Sequence, residues 1–108
     1  MPADPATSGG LPPDAVVKIR TVFANHPEVS KVILYGSRAK GNYRPGSDID
    51  LTIHGPAVTL PELFAIEGEL DDLLLPYKID LSLHHQIDNP DLLEHIARVG
   101  VIIYSKEE

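Results

Sequence analysis

Residues 36–50 read GSRAKGNYRPGSDID and form the most informative stretch of the 108-residue chain. The β-branched and aromatic run at residues 32–35, just before it, predicts a buried strand. Residues 48–54 alternate polar and apolar side chains, which predicts a second strand with Asp48 and Asp50 on one face. The stretch therefore predicts a strand, a polar loop with a possible helical turn, and a second strand that starts with two carboxylates.

Three aspartates make up the predicted metal site. Asp48 and Asp50 lie two residues apart on a strand, so their Cβ atoms are about 7 Å apart and both can reach the same cations. Asp80 lies on a later predicted strand (residues 77–84) and shares their face if the two strands are neighbours. Oxygen ligands of this kind suit Mg²⁺ bound to nucleotide phosphates. In a two-metal phosphoryl or nucleotidyl transfer, Asp48 and Asp50 would bridge both ions, while Asp80 would hold the second and help to deprotonate the attacking hydroxyl.

The loop between the two strands predicts a phosphate site. Gly36 and Ser37 would expose backbone N–H groups at a bend, where glycine allows a phosphate to approach closely and the serine hydroxyl adds a donor. Arg38, Lys40 and Arg44 are three of nine basic residues, and they fall within seven positions. We therefore predict that these five residues bind the nucleotide.

The rest of the chain predicts an α+β domain with a small mixed sheet covered by helices. Asp14 is the predicted N-cap of the first helix. Thr59 and Glu62 form a predicted capping box, and Pro76 is expected to end the helix that they begin. Asn89 is the predicted N-cap of the last helix, which is followed by a short strand. The expected order is helix, strand, strand, helix, strand, helix, strand.

Composition limits the classes of protein that remain. Apolar residues make up 43% and the net charge is −7, which indicates one packed domain and argues against a direct nucleic-acid partner. We interpret residues 1–13 as a disordered leader and residues 14–108 as the domain. No stretch is apolar enough to span a membrane, and the leader lacks the features of a signal peptide. The expected location is the cytoplasm, which the absence of cysteine fits.

The histidines show no spacing typical of metal ligands. We therefore expect them to have structural or surface roles. There are five of them: His26, His54, His84, His85 and His95.

The pattern Gly36-Ser37, ten residues, then Asp48-x-Asp50 resembles the signature of the DNA polymerase β-like nucleotidyltransferase superfamily. The small size, without an appended substrate domain, looks like the minimal nucleotidyltransferases (MNT). Proteins of that family commonly act as antitoxins whose toxin partner is a HEPN-domain ribonuclease. The resemblance implies a mixed sheet, Mg²⁺ (two ions), ATP as substrate, a hetero-oligomer with the toxin, and transfer of AMP, typically to a tyrosine hydroxyl of that toxin.

Two other functions remain open from the sequence. The chain could be a non-catalytic antitoxin that inhibits its partner by binding alone. It could also be a nucleotidyltransferase for a small molecule such as an aminoglycoside, although 108 residues leave little to grip that substrate. A nucleic-acid polymerase is the least favoured, because neither the charge nor the length provides a template channel.

Overall fold

The computed structural model describes residues 10–44 and 46–106. This part of the chain confirms the predicted α+β class, with helices and strands interleaved along the sequence. The elements run in the order α1 (Pro13–Ala24), β1 (Lys31–Tyr35), α2 (Ser37–Lys40), β2 (Ile49–His54), α3 (Leu60–Asp71), β3 (Ile79–Leu83), a 3₁₀ turn (His84–Gln86), α4 (Pro90–Val99) and β4 (Val101–Ser105). None of the helices in the described ranges is long and apolar enough to cross a membrane.

The four strands form one mixed sheet in the order β3-β2-β1-β4. Strand β1 pairs antiparallel with both β2 and β4, whereas β2 and β3 are parallel. A parallel pair needs a long crossover connection, and α3 lies within this one. The parallel register aligns Asp50 directly with Asp80, which fulfils the condition under which the sequence predicted a shared face.

The hydrophobic core lies between one face of the sheet and helices α1 and α3. Strand residues that alternate along β1 and β2 point into it, as the period of two requires. Helix α4 lies on the other face, where the ring of His95 meets the ring of Tyr35 edge-on. The fully buried large side chains of the core include Ile19 and Phe23 of α1, Leu34 of β1, Ile49, Leu51 and Ile53 of β2, and Ile66 of α3.

Helix α1 begins two residues earlier than predicted. Pro12 occupies the N-cap position and Pro13 is the first helical residue, so Asp14 lies inside the first turn and is not the cap. Two prolines suit this place because the first backbone N–H groups of a helix have no partner within the helix. The Asp14 carboxylate still lies at the positive end of the helix dipole.

Helix α3 begins as predicted but ends earlier. The Thr59 hydroxyl accepts a hydrogen bond from the Glu62 N–H at 3.3 Å. The helix ends at Asp71, five positions before Pro76, so the prediction that Pro76 ends it was wrong. Two tight turns follow, and Leu74 adopts a left-handed conformation with φ of 55° and its side chain 88% exposed.

The third strand also ends earlier than predicted. Strand β3 stops at Leu83, and His84 and His85 belong to the 3₁₀ turn. The ring of His84 stacks on that of His54, with 3.9 Å between ring centroids. His84, which the sequence placed in the predicted strand, therefore lies in the turn beside His54.

The predicted leader lies largely outside the described residues. Residues 1–9 are not among them, so the prediction for that segment stays untested. Leu11 is only 4% exposed and belongs to the core, and Pro13 is helical. Leu11 therefore packs against the domain and Pro13 belongs to its first helix, although both lie in the range predicted as a disordered leader.

Candidate functional site

The centre of the site is the pair of carboxylates at Asp50 and Asp80. The two residues are directly aligned on the parallel strands β2 and β3, whose backbones lie about 4.8 Å apart. Burial raises the pKa of Asp50, and the negative charges of Asp80 and Asp48 raise it further. The structure thus brings Asp50 and Asp80 together, and the exposed Asp48, one residue before β2, acts electrostatically on Asp50.

The Gly36 turn forms the second part of the site. Gly36 has φ of 78° and ψ of −156°, a conformation that is essentially restricted to glycine. A Cβ atom at this position would also collide with Oδ2 of Asp50. Ser37 follows as the first residue of α2, and the Lys40 N–H donates to the Gly36 carbonyl at 3.1 Å. Two separate features therefore require glycine at position 36: the backbone conformation and the close approach of the Asp50 carboxylate.

Arg38 has a different setting from the one that the sequence predicted. Its side chain is 3% exposed, and its guanidinium lies 5.0 Å from the ring centroid of Tyr43 and 4.9 Å from that of Tyr77. Its Nε donates to the Ser47 carbonyl at 3.1 Å. A guanidinium is suited to such stacking because it is planar and weakly hydrated. These contacts hold the loop in place, and a phosphate contact by Arg38 stays a prediction.

Lys40 and Arg44 are both exposed. Lys40 ends α2, and the backbone N–H of Arg44 donates to the Ser47 hydroxyl at 2.7 Å. Their side chains lie on the surface of the same loop that carries Gly36 and Ser37. Their role as phosphate ligands therefore remains a prediction.

Three further side chains lie at the site, and the sequence did not single them out for it. The Gly36 N–H donates to Nε2 of His95 at 3.2 Å. The Tyr35 pKa is raised mainly by burial, with contributions from the charges of Asp50 and Asp80, while a hydrogen bond with Ser82 opposes the rise. Tyr35 and Ser82 have the strand period of the acids, so that period was the available signal. His95 comes from a distant helix, and no local pattern indicates its position.

The donors at the site fit a hard cation. Carboxylate oxygens are the ligands that Mg²⁺ prefers. The pKa of Asp50 is raised first by burial and then by the negative charges of Asp80 and Asp48, and a bound cation would offset both effects. Within the described ranges, no group of three or more His, Cys, Asp or Glu side chains is already arranged so that it could hold a metal ion. The fit therefore rests on the chemistry of Asp48, Asp50 and Asp80 and on their mutual electrostatic effects.

Comparison with known families bears on this arrangement. The profile of the family described as "Polymerase beta, Nucleotidyltransferase" matches residues 17–108, which includes the Gly36 turn and all three aspartates. The chain belongs to the polymerase β nucleotidyltransferase family. In this nucleotidyltransferase domain, the paired acids and the glycine turn lie side by side on the face of the sheet opposite α1 and α3. A comparison with curated protein sequences found no match.

Solved structures share the fold of this nucleotidyltransferase domain. A chain of a toxin–antitoxin complex crystallised with AMP-PNP aligns with a TM-score of 0.66 and 18% identity, over 87% of this chain and 73% of that chain. A chain from the complex of the tri-AMPylated Shewanella oneidensis HEPN toxin with MNT antitoxin aligns with a TM-score of 0.63 and 17% identity. The alignment covers 86% of this chain and 71% of that chain. The MntA–HepT toxin–antitoxin complex gives a TM-score of 0.62 at 16% identity, over 86% and 72%. At these identities the likeness establishes the fold.

Proposed function

We propose that this chain is an antitoxin that transfers AMP from MgATP to a hydroxyl group, that of a tyrosine, on a HEPN-domain ribonuclease toxin and thereby neutralises it. The observation that carries the proposal is the alignment of Asp50 with Asp80 beside the Gly36 turn. An acidic pair next to exposed backbone donors suits a metal-chelated triphosphate. Membership of a nucleotidyltransferase family supports the same chemistry.

Each part of the site has a role in this proposal. The Gly36 turn lets a phosphate approach the backbone closely, and the backbone N–H and hydroxyl of Ser37 bind its oxygens. Asp48, Asp50 and Asp80 hold two Mg²⁺ ions, whose chemistry is to neutralise the phosphate charge and stabilise the attacking and leaving oxygens. Arg38 stabilises the conformation of this loop through its contacts with the rings of Tyr43 and Tyr77 and with the Ser47 carbonyl.

The transfer is a single displacement at the α-phosphorus. The acceptor oxygen forms a new bond to that phosphorus, and the bond between the phosphorus and the bridging oxygen of the β-phosphate breaks. Pyrophosphate leaves with that electron pair. The Asp80 carboxylate accepts the proton from the acceptor hydroxyl and releases it to solvent. Asp80 suits this role because its side chain is half exposed, so an acceptor from a second protein can reach it.

The expected partner follows from the structural neighbours. They are chains from toxin–antitoxin complexes, one of them crystallised with AMP-PNP and one containing a tri-AMPylated HEPN toxin. By extension, we expect this chain to form a hetero-oligomer with a HEPN toxin in the cytoplasm. A chain without cysteines is compatible with that reducing compartment.

Intact-mass spectrometry tests the proposal. The tagged chain is purified with its bound partner, incubated with ATP and Mg²⁺, and compared with the Asp48→Ala variant. Asp88→Asn, an exposed aspartate in the loop before α4, is the matched control. We expect the partner to gain one or more AMP units with the wild type and with Asp88→Asn, but not with Asp48→Ala.

Two outcomes would contradict transfer to a toxin. A partner that co-purifies and is neutralised without any gain in mass would indicate inhibition by binding alone. If no partner co-purifies but the protein releases pyrophosphate from ATP in the presence of an aminoglycoside, the acceptor is a small molecule. Tandem fragmentation of the modified partner identifies the acceptor residue, and modification of a residue other than tyrosine would correct that detail.

A further inference from the structure

The hydrogen bond between the Gly36 N–H and Nε2 of His95 connects two parts of the chain that lie far apart in sequence. The donor and acceptor are 3.2 Å apart and separated by 59 positions. Gly36 belongs to the turn after β1, and His95 lies in the middle of α4. The bond thus ties the glycine turn to a helix on the outer face of the sheet.

The Gly36 amide is a sensitive place for such a bond. Its plane is shared with the Tyr35 carbonyl, and glycine at φ of 78° has no side chain to resist rotation. The carbonyl of the same residue accepts from the Lys40 N–H. By holding the Gly36 N–H, His95 Nε2 therefore also restrains the Gly36 carbonyl at the start of α2. The direction of the next backbone N–H, that of Ser37, is restrained with it.

His95 is itself held from several sides. Helix α4 is capped by Asn89, whose side chain accepts from the Asp91 N–H at 3.0 Å and the Leu92 N–H at 3.3 Å. The imidazole meets the ring of Tyr35 at an interplanar angle of 80°, with 6.2 Å between centroids. Because Nε2 accepts, the ring proton is assigned to Nδ1. The acceptor is therefore fixed before any nucleotide arrives.

We propose that His95 is a positioning residue that fixes the Gly36 amide, and with it the turn into α2, in the orientation that receives the nucleotide phosphates. His95 acts through Gly36 and does not itself contact the nucleotide. This inference rests on the proposed nucleotide site, and it adds a residue from α4 to a site otherwise built from β1, β2 and β3. It assigns α4 a role in preorganising nucleotide binding.

Variants that move the acceptor atom test this role. In His95→Gln the side-chain amide oxygen can reach the place of Nε2, whereas in His95→Asn the shorter chain cannot. Binding of a fluorescent ATP analogue with Mg²⁺ is measured without any partner, so the result does not depend on toxin modification. We expect His95→Asn to weaken binding about tenfold, as for loss of one positioning hydrogen bond, and His95→Gln to stay within about threefold of the wild type.

The same variants separate positioning from general stability. His85→Gln, at an exposed histidine of the 3₁₀ turn, is the matched control and should bind like the wild type. Hydrogen exchange of the Gly36 amide, followed by NMR, should be slow in the wild type and in His95→Gln and fast in His95→Asn. In steady-state transfer, His95→Asn should raise KM for ATP while kcat changes little.

Specific results would overturn the inference. Equal nucleotide affinity in the wild type and a folded His95→Asn variant would remove the positioning role, as would equal losses in the Gln and Asn variants. If the wild type bound no nucleotide, the proposed function would fail first. Hydrogen exchange of the Gly36 amide would then still show whether His95 fixes the turn. Equally fast exchange in the wild type and in His95→Asn would reject the positioning role of His95 as well.

Discussion

At the scale of the residue, Asp50 is where the requirements of function and of stability conflict. It is partly buried beside a second carboxylate, and both effects raise its pKa. A group that is easier to protonate in the folded state destabilises that state when it is ionised at neutral pH. Gly36 is constrained at the same place. Its backbone conformation is costly for any other residue, and the absence of a side chain allows Asp50 to approach closely.

Replacing Asp50 separates the two requirements. Asp50→Asn removes the crowded charge and keeps the shape, so we expect Tm at pH 7 to rise by a few degrees while transfer falls at least about a hundredfold. Differential scanning calorimetry and the intact-mass assay measure the two effects, with Asp88→Asn as the control. A lower Tm, or transfer at the wild-type rate, would contradict this account of Asp50.

The acids and the glycine turn were the part of the site that the sequence could predict. Strand alternation placed Asp50 and Asp80 on equivalent faces, and the register of β2 with β3 aligns them. The setting of Arg38 could not be predicted, because its stacking on Tyr77 joins segments that are distant in sequence. His95 was missed for the same reason: a single histidine on an amphipathic helix carries no local sign of the amide that it meets.

At the scale of the element, α3 is fastened to the segment after α1 by His26. Nδ1 of His26 lies 3.0 Å from Glu62 and Nε2 lies 3.0 Å from Glu69. Burial opposes protonation of His26, but the hydrogen bonds and charges of the two glutamates outweigh it and raise the pKa. Protonated His26 therefore links α3 to the end of α1 through two ion pairs, with Glu62 and Glu69, which we call the His26 clamp.

The clamp makes stability depend on pH. Because the folded pKa of His26 is raised, its contribution is fully present below the unfolded value of 6.5 and is lost as pH rises through the folded pKa. We expect the wild type to exceed His26→Gln by about 1 kcal/mol in unfolding free energy at pH 5.5 and by much less at pH 9. Urea unfolding at both values measures this. A difference that is constant or grows with pH would contradict the clamp.

Two glycines provide a matched pair of substitutions. Gly68 lies exposed inside α3 with open space around it, so Gly68→Ala should raise the unfolding free energy by about 0.5–1 kcal/mol and leave nucleotide binding unchanged. Gly36→Ala should abolish binding through its collision with Asp50. Denaturant titration and nucleotide binding measure both. Equal behaviour of the two variants would contradict the special geometry assigned to Gly36.

The elements themselves were largely predictable. Hydrophobic periodicity and short β-branched runs located α1, α3, α4 and the four strands. The caps at Thr59 and Asn89 were both confirmed. The end of α3 was not predictable from Pro76, because the chain leaves the helix through tight turns well before it. In the 3₁₀ turn, His84 stacks on His54 of β2, a contact between segments distant in sequence that periodicity does not report.

At the scale of the whole molecule, the two faces of the sheet have different tasks. One face carries the core with α1 and α3, and the other carries the acids and meets α4. Helix α3 lies within the crossover that makes β3 parallel to β2, and this brings Asp80 beside Asp50. The chain as a whole is acidic at −7, while the loop after the Gly36 turn is locally basic. That contrast suits a bound metal–phosphate group better than a nucleic-acid backbone.

The most direct test of the central claim is to map a bound cation and nucleotide on the sheet by NMR. Mn²⁺ with AMP-PNP broadens the amide signals of nearby residues, and Mg²⁺ with AMP-PNP is the diamagnetic reference. We predict that Gly36, Ser37, Asp50 and Asp80 are broadened most. His54, at the far end of β2, and His85, in the 3₁₀ turn after β3, should be broadened much less. Broadening centred on those histidines, or none at any amide, would contradict the site on which this account rests.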